Sequence, residues 1–254
     1  MVKILSIHSF RRGAGKTTFA ANMGAILAKR GQRVAVAEAN LQSPSLHFFL
    51  NRDFYKHPPA YYLNDYLAGR CDILSTVIDV TDSLNLQQGR YFAVLSNPSV
   101  SEIARMLREG YNPGLLSEGI IQLAESFELD TLIIDNTAGF FEDNIVMPAI
   151  ADATLILTRY DSREHQGTIM LIGIARELSA SHVAVLVNET PTLLSLDAVK
   201  VSLEKAFGWE VVGVIHRTDS LSLSSSNLLA LNSPDHPLVK TLTSALDALL
   251  TDDE

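Results

Sequence analysis

KILSIHSFRRGAGKTT, residues 3–18, joins a short apolar run to a turn of small residues, and its reading decides the fold. Its end, GAGKTT, closes the pattern G-x-x-x-x-G-K-[ST], whose backbone N–H groups cradle phosphate oxygens where a helix begins. Its beginning departs from that pattern: the first glycine falls on Phe10, and Arg11 and Arg12 follow. Gly13 and Gly15, on either side of Ala14, let the backbone turn so that successive N–H groups face one concavity. Lys16 is then placed to reach β- and γ-phosphates as a mobile charge, and Thr17 to offer its hydroxyl to Mg2+. Thr18 can donate to the α-phosphate.

Outward from the loop, Phe19, Met23, Ile26 and Leu27 recur at helical spacing, and KRG at 29–31 ends that helix. RVAVAEAN, 33–40, reads as a second strand, which completes a strand–loop–helix–strand unit. Residues 41–82 read as irregular with helical patches such as YYLNDYLAG, and RYFAVLSNP, from residue 90, reads as the third strand. Two helical segments follow, SVSEIARMLREG and GLLSEGIIQLAESF. Strands and helices then alternate through TLIIDN, NIVMPAIAD, ATLILT, REHQGTIMLIGIARELS, HVAVLVN, LLSLDAVKVSLEKAF and EVVGVI. Near-continuous β-branched runs predict an α/β fold: a doubly wound, mostly parallel sheet with helices on both faces and ligand at the carboxyl ends of its strands. The last helix, from Pro237, places Leu238, Leu242, Ala245, Leu246 and Leu249 on one packing stripe. LSLSSSN, 221–227, reads as a helix cap.

Composition agrees. The 254 residues, 47% hydrophobic, suffice for one domain over 1–254. No stretch approaches a membrane span, and the N-terminus runs straight into the loop without a cleavable apolar segment, so no membrane partner and no signal peptide are expected. One cysteine, Cys71, and seven scattered histidines predict neither disulfide nor zinc, and a reducing cytoplasm fits. Cys71 itself reads as a packed small hydrophobe. The net charge of −9 opposes bulk attraction to DNA or anionic lipid but leaves room for a local basic patch.

A second element must supply a carboxylate on the metal side. TLIIDNTAG, 131–139, is an apolar strand ending in Asp135, an acid placed to hold a Mg2+-bound water. Gly139 lets the backbone approach a γ-phosphate. A strand-end aspartate alone is as often a helix cap; together with the loop, it reads as the metal carboxylate.

In the order HSFRRGAGKTT, VAVAEANLQSP, LIIDNTAG and VLVNE, the chain resembles the ParA/MinD family of P-loop ATPases over nearly its whole length. It is similar in particular to the ParA-like branch with SFRGGTGKS loops and D-x-D-x-Q-S-P switches, known from cyanobacteria and actinobacteria. The resemblance implies the P-loop NTPase fold of SIMIBI, ParA/MinD type, with ATP and Mg2+ as cofactors. It implies a homodimer that sandwiches ATP, with a signature lysine sent across to the partner's phosphates. It also implies slow, partner-stimulated hydrolysis, a protein adaptor, and a role in positioning or partitioning DNA or protein cargo. Nonspecific DNA binding would place the chain on the nucleoid.

Three positions depart from the family pattern. The signature lysine falls on Arg11, which keeps the charge for an arginine-finger role across the dimer, and the next glycine falls on Arg12. The blander reading leaves both arginines solvated at the rim. The switch aspartates fall on Glu38 and Asn40. Asn40 can orient a water but cannot take its proton, whereas Glu38 could substitute in part or support Mg2+. Weak hydrolysis is therefore expected, with an ATP-locked scaffold as the first alternative and a metabolic ATP-dependent enzyme of the same fold as the second. Asn188 matches the family's adenine-contacting asparagine, against a plain turn asparagine, and HRTDS, 216–220, is expected to border the base. Arg105 and Arg108 share a helix face with Glu102, read as a paired solvated face or a DNA edge; Arg159 and Arg163 lie in a dimer or partner segment. Tyr61, Tyr62, Leu63, Tyr66 and Leu67 are expected to cover the sheet edge.

Overall fold

The computed structural model describes residues 2–140, 142–218 and 228–251. Eight strands form one sheet: β1 Lys3–Ser9, β2 Arg33–Glu38, β3 Val77–Asp79, β4 Arg90–Val94, β5 Thr131–Asp135, β6 Ala153–Arg159, β7 His182–Thr190 and β8 Val211–His216. Their order is β3-β4-β2-β5-β1-β6-β7-β8, and every pairing is parallel except β3 with β4. The helices are α1 Lys16–Lys29, α2 Leu63–Leu67, α3 Val100–Glu109, α4 Pro113–Ser126, α5 Glu142–Ile150, α6 Ser162–Glu177, α7 Leu196–Phe207, α8 Leu229–Asn232 and α9 Pro237–Leu250.

Alternation along β1 sorts the core into two faces. Leu5 and Ile7 pack with Phe19 and Met23 of α1 and with Leu238, Leu242 and Leu246 of α9. Ile4 points the other way, into a cluster with Leu116, Ile120 and Leu123 of α4. Farther along that second face, Ile156, Val185 and Val187 meet Leu171 and Ile172 of α6 and Val199 and Leu203 of α7. Each fully buried Leu, Ile or Phe contributes about 1.5–3 kcal/mol, which is why continuous apolar strands end up covered on both faces.

The expected third strand, RYFAV, is the fourth. A three-residue strand, Val77–Asp79, precedes it and pairs antiparallel with it. So short a strand shows no alternation in the sequence. The irregular stretch holds α2 and two single 3-10 turns, Leu46–Phe49 and Leu74–Thr76. Of the aromatic group expected on the sheet edge, Leu63, Tyr66 and Leu67 are buried beside α4, and Tyr61 is exposed. Cys71 is a free thiol packed against the same cluster, and burial raises its pKa. The serine-rich 221–227 stretch, together with Asp219 and Ser220 of the segment expected to border the base, lies outside the described residues. Among the described residues no helix is long and apolar enough to cross a membrane.

The register places the chemistry. Asp135, last in β5, stands opposite Ile7 of β1 and Glu38 of β2. Three strands thus end together beside the loop that leaves β1.

Candidate functional site

The loop between β1 and α1 turns through two left-handed glycines, Gly13 at φ 84° and Gly15 at φ 103°. Gly15 is doubly constrained, because a Cβ there would also stand 3.0 Å from the side-chain nitrogen of Asn188. Ala14, between them, is buried. Gly15, the N-cap of α1, offers no side-chain cap to the first N–H groups of the helix. Lys16 Nζ donates to Ser9 Oγ at 2.9 Å. Burial holds the Lys16 ammonium below its ordinary pKa; the Arg12 charge adds to this and the Asp135 charge opposes it.

Thr17 Oγ1 donates to Asp135 Oδ2 at 2.6 Å. The second carboxylate oxygen, Oδ1, is buried with no hydrogen-bond partner among the described residues. Burial pushes Asp135 up to about 6, against the Thr17 hydrogen bond and the Lys16 charge. An orphaned buried oxygen beside a bonded hydroxyl fits a hard divalent cation or its bound water. Among the described residues, no group of three or more His, Cys, Asp or Glu could hold a metal alone. A cation here would therefore draw its remaining oxygens from phosphate and water, the usual Mg2+ arrangement.

Above these groups opens a cavity of about 450 Å3. Among the described residues two cations, Lys16 and Arg12, line it, and no carboxylate does; Thr17, Thr18, Ser43 and Ser45 contribute hydroxyl-bearing side chains. Such a lining suits a polyanion. A slightly larger hollow, about 480 Å3 between residues 84–88 and α8, has among the described residues one lining cation, Lys29, bonded to the Ala230 carbonyl. Of the two, the smaller cavity has the lining that suits phosphate.

A model of the CobQ/CobB/MinD/ParA nucleotide-binding domain matches residues 5–230. The chain belongs to that family. An uncharacterized ATP-binding protein of Methanocaldococcus jannaschii is 24% identical over 247 residues, 95% of this chain and 85% of that protein. Among solved structures, the septum site-determining protein MinD of Pyrococcus horikoshii, complexed with Mg-ADP, superposes with a TM-score of 0.78 at 17% identity, covering 98% of this chain and 96% of that one. MinD of Aquifex aeolicus, solved as a MinC:MinD complex, gives 0.77 at 18% identity over 100% and 97%. The fold is that of the MinD/ParA ATPases.

Within that family frame, the departures take definite places. Glu38 is wholly buried at the end of β2. Its Oε1 accepts from the N–H groups of Ser45 at 2.5 Å and Leu46 at 2.7 Å, and its Oε2 from Ser96 at 3.1 Å. Burial raises it to about 8, and Asp135 adds to this. Glu38 does not line the cavity; its carboxyl braces the turn that follows β2. Asn40 does line it, with its Nδ2 donating to the Ser43 carbonyl at 2.9 Å. Gly139, at φ 103°, donates its N–H to the Ser9 carbonyl at 3.0 Å, and Thr137 Oγ1 donates to the Ala39 carbonyl at 3.2 Å. The segment after β5 is thus tied to both neighbouring loops.

Asn188 faces the loop from beneath. Its Nδ2 donates to the Ala14 carbonyl at 3.1 Å, and its Oδ1 accepts from the Glu189 N–H at 2.9 Å. Both polar ends of the amide serve the backbone, and each keeps one further hydrogen-bonding position, an N–H and an oxygen lone pair. Arg105 is paired with Glu102 and Glu109, Arg159 with Glu164, and Arg163 with Asp161.

Sequence reasoning missed Phe10. Its ring lies 5.3 Å from that of Phe140 and fills the notch left by Gly167 on α6, while the Arg11 guanidinium sits 5.7 Å above it. The missing first glycine was a signal that something unusual stands here, but nothing near Phe10 in the sequence names its partners.

Proposed function

We propose that this chain is a nucleotide-dependent switch of the ParA/MinD kind. Residues 1–254 act as one P-loop domain that binds ATP with Mg2+ and pairs with a second copy around the nucleotide. It hydrolyses slowly, and through an adaptor it positions protein or DNA cargo. The observation that carries this reading is the Thr17–Asp135 pair, with its orphaned Oδ1, set beneath a cavity lined by Lys16 and Arg12 and, among the described residues, by no acid.

Gly13 to Thr18 would hold the phosphates through backbone N–H groups, Lys16 would neutralise their charge, and Thr17 with Asp135 would hold the metal. Bound Mg2+ would supply charge neutralisation between the outer phosphates. Arg11, outside the cavity lining and above Phe10, is available to a facing copy. Light scattering without nucleotide, with ADP and with ATP, on the native chain and on Arg11→Ala, tests the switch. Dimer formation with ATP, weakened by the substitution, supports it; a mass indifferent to nucleotide removes it.

A second reading, an ATP-locked scaffold, is favoured by Asn40. The family's base position holds an amide, and among the described residues no acid lines the cavity. Loss of a general base costs on the order of 10²–10⁴ in rate. Steady-state phosphate release separates the two. A native rate near zero that rises in Asn40→Asp supports the scaffold, and a brisk native rate unchanged by the substitution supports a turning-over switch.

A further inference from the structure

The two arginines of the loop part company. Arg11 lies over the Phe10 ring. Arg12, itself exposed, reaches across instead: its Nη2 donates to Gln42 Oε1 at 2.6 Å, so its side chain spans from the phosphate loop to the turn after β2. It lines the same cavity as Lys16, and its charge helps to hold the Lys16 ammonium below its ordinary range.

The cavity has a direction. In loops of this chemistry the lysine reaches the β- and γ-phosphates, and the threonine hydroxyl holds the metal that bridges them. Thr17, bonded to Asp135, therefore marks the outer-phosphate end, and Asn40 and Ala138 line the cavity with Thr17. Gln42 lies two residues beyond Asn40, so the Arg12–Gln42 bond joins the phosphate loop to the stretch that carries Asn40.

We propose that Arg12 is a γ-phosphate clamp acting within its own chain, and that Gln42 is the partner it holds while no third phosphate is present. This deepens the nucleotide reading and rests on it. The physical reason is a competition. A guanidinium bonded to a neutral amide makes an ordinary charge–dipole contact, whereas a phosphate accepts two parallel, charge-assisted hydrogen bonds from the same fork. A triphosphate takes Arg12 from Gln42; a diphosphate ends short of it and leaves the pair closed. Freed Gln42 stands on the Asn40 turn, so the turn after β2 registers which nucleotide is bound.

The test is equilibrium binding of a fluorescent non-hydrolysable ATP analogue and of ADP, both with Mg2+, at concentrations where sedimentation shows monomer. Arg12→Gly is expected to weaken the triphosphate analogue by roughly tenfold or more while ADP stays within about twofold. Arg12→Lys restores part of the loss. Gln42→Ala tightens the triphosphate analogue and leaves ADP unchanged, because the competing acceptor is gone. Equal effects on both nucleotides, or none on either, overturn the clamp. A triphosphate-selective loss seen only in dimer would place Arg12 across an interface and overturn the same-chain assignment. A native chain that binds neither nucleotide overturns the nucleotide reading itself and is distinguishable from all of these.

Discussion

Phe10 lays its ring against the bare α-carbon of Gly167: a methyl group at Gly167 would stand 2.1 Å from two ring atoms. The same ring touches Phe140, which directly follows Gly139, and Gly139 is bonded to the Ser9 carbonyl. The phosphate loop, the segment after β5 and the N-terminal half of α6 are therefore one packed unit. The expected consequence is strong coupling. Gly167→Ala should destabilise the native chain by about 1–3 kcal/mol through overpacking, yet cost little in a Phe10→Ala background. A double-mutant cycle by urea unfolding checks this; additive effects would contradict the packing.

Glu38→Ala should cost about 3 kcal/mol or more, because it strips the acceptor from three backbone N–H groups at once. The fast amide exchange that follows should be confined to Ser45, Leu46 and Ser96. The pH dependence has a definite sign. Burial lifts Glu38 from 4.5 to about 8, so the folded chain binds its proton more tightly than the unfolded chain does. That contribution is full at pH below 4.5 and is lost as pH rises through about 8. Unfolding curves of native and Glu38→Ala chains across this window should converge on the alkaline side.

His8 has the opposite sign. Burial, with the Lys16 charge, lowers it from 6.5 to about 3, against the backbone of Thr137 and Gly139. The folded chain refuses a proton that the unfolded chain accepts. The native chain should therefore lose stability relative to His8→Leu as pH falls below 6.5, at up to about 1.4 kcal/mol per pH unit. A flat difference between the two chains from neutral pH to pH 4 would mean that His8 charges freely.

Thr17→Val keeps the shape of the side chain and removes the hydroxyl that donates to Asp135. Nucleotide affinity in the presence of Mg2+ should fall by about 10–100-fold, and affinity in EDTA should barely change. Titrations with and without the metal measure the difference. An equal fall in both conditions would assign the hydroxyl to the phosphates alone.

Much of this was legible along the chain. Gly13 and Gly15 announced left-handed backbone, Lys16 and Thr17 stood where a helix had to begin, and Asp135 closed an apolar strand. These are local requirements of φ, of period two and of strand-to-helix succession, and neighbouring residues are enough to state them. Packing decided the rest. Three-residue β3 carries no pattern. Glu38, expected near a water or a metal, became a buried brace because the turn after β2 folds its own N–H groups onto the carboxyl. Asn188 met Ala14, Phe10 met Gly167, and Arg12 turned towards Gln42 while Arg11 turned away. Each of these choices joins a side chain to a partner that only chain reversal brings near, and a hydrogen bond or a notch between distant segments leaves no periodicity by which sequence could reveal it.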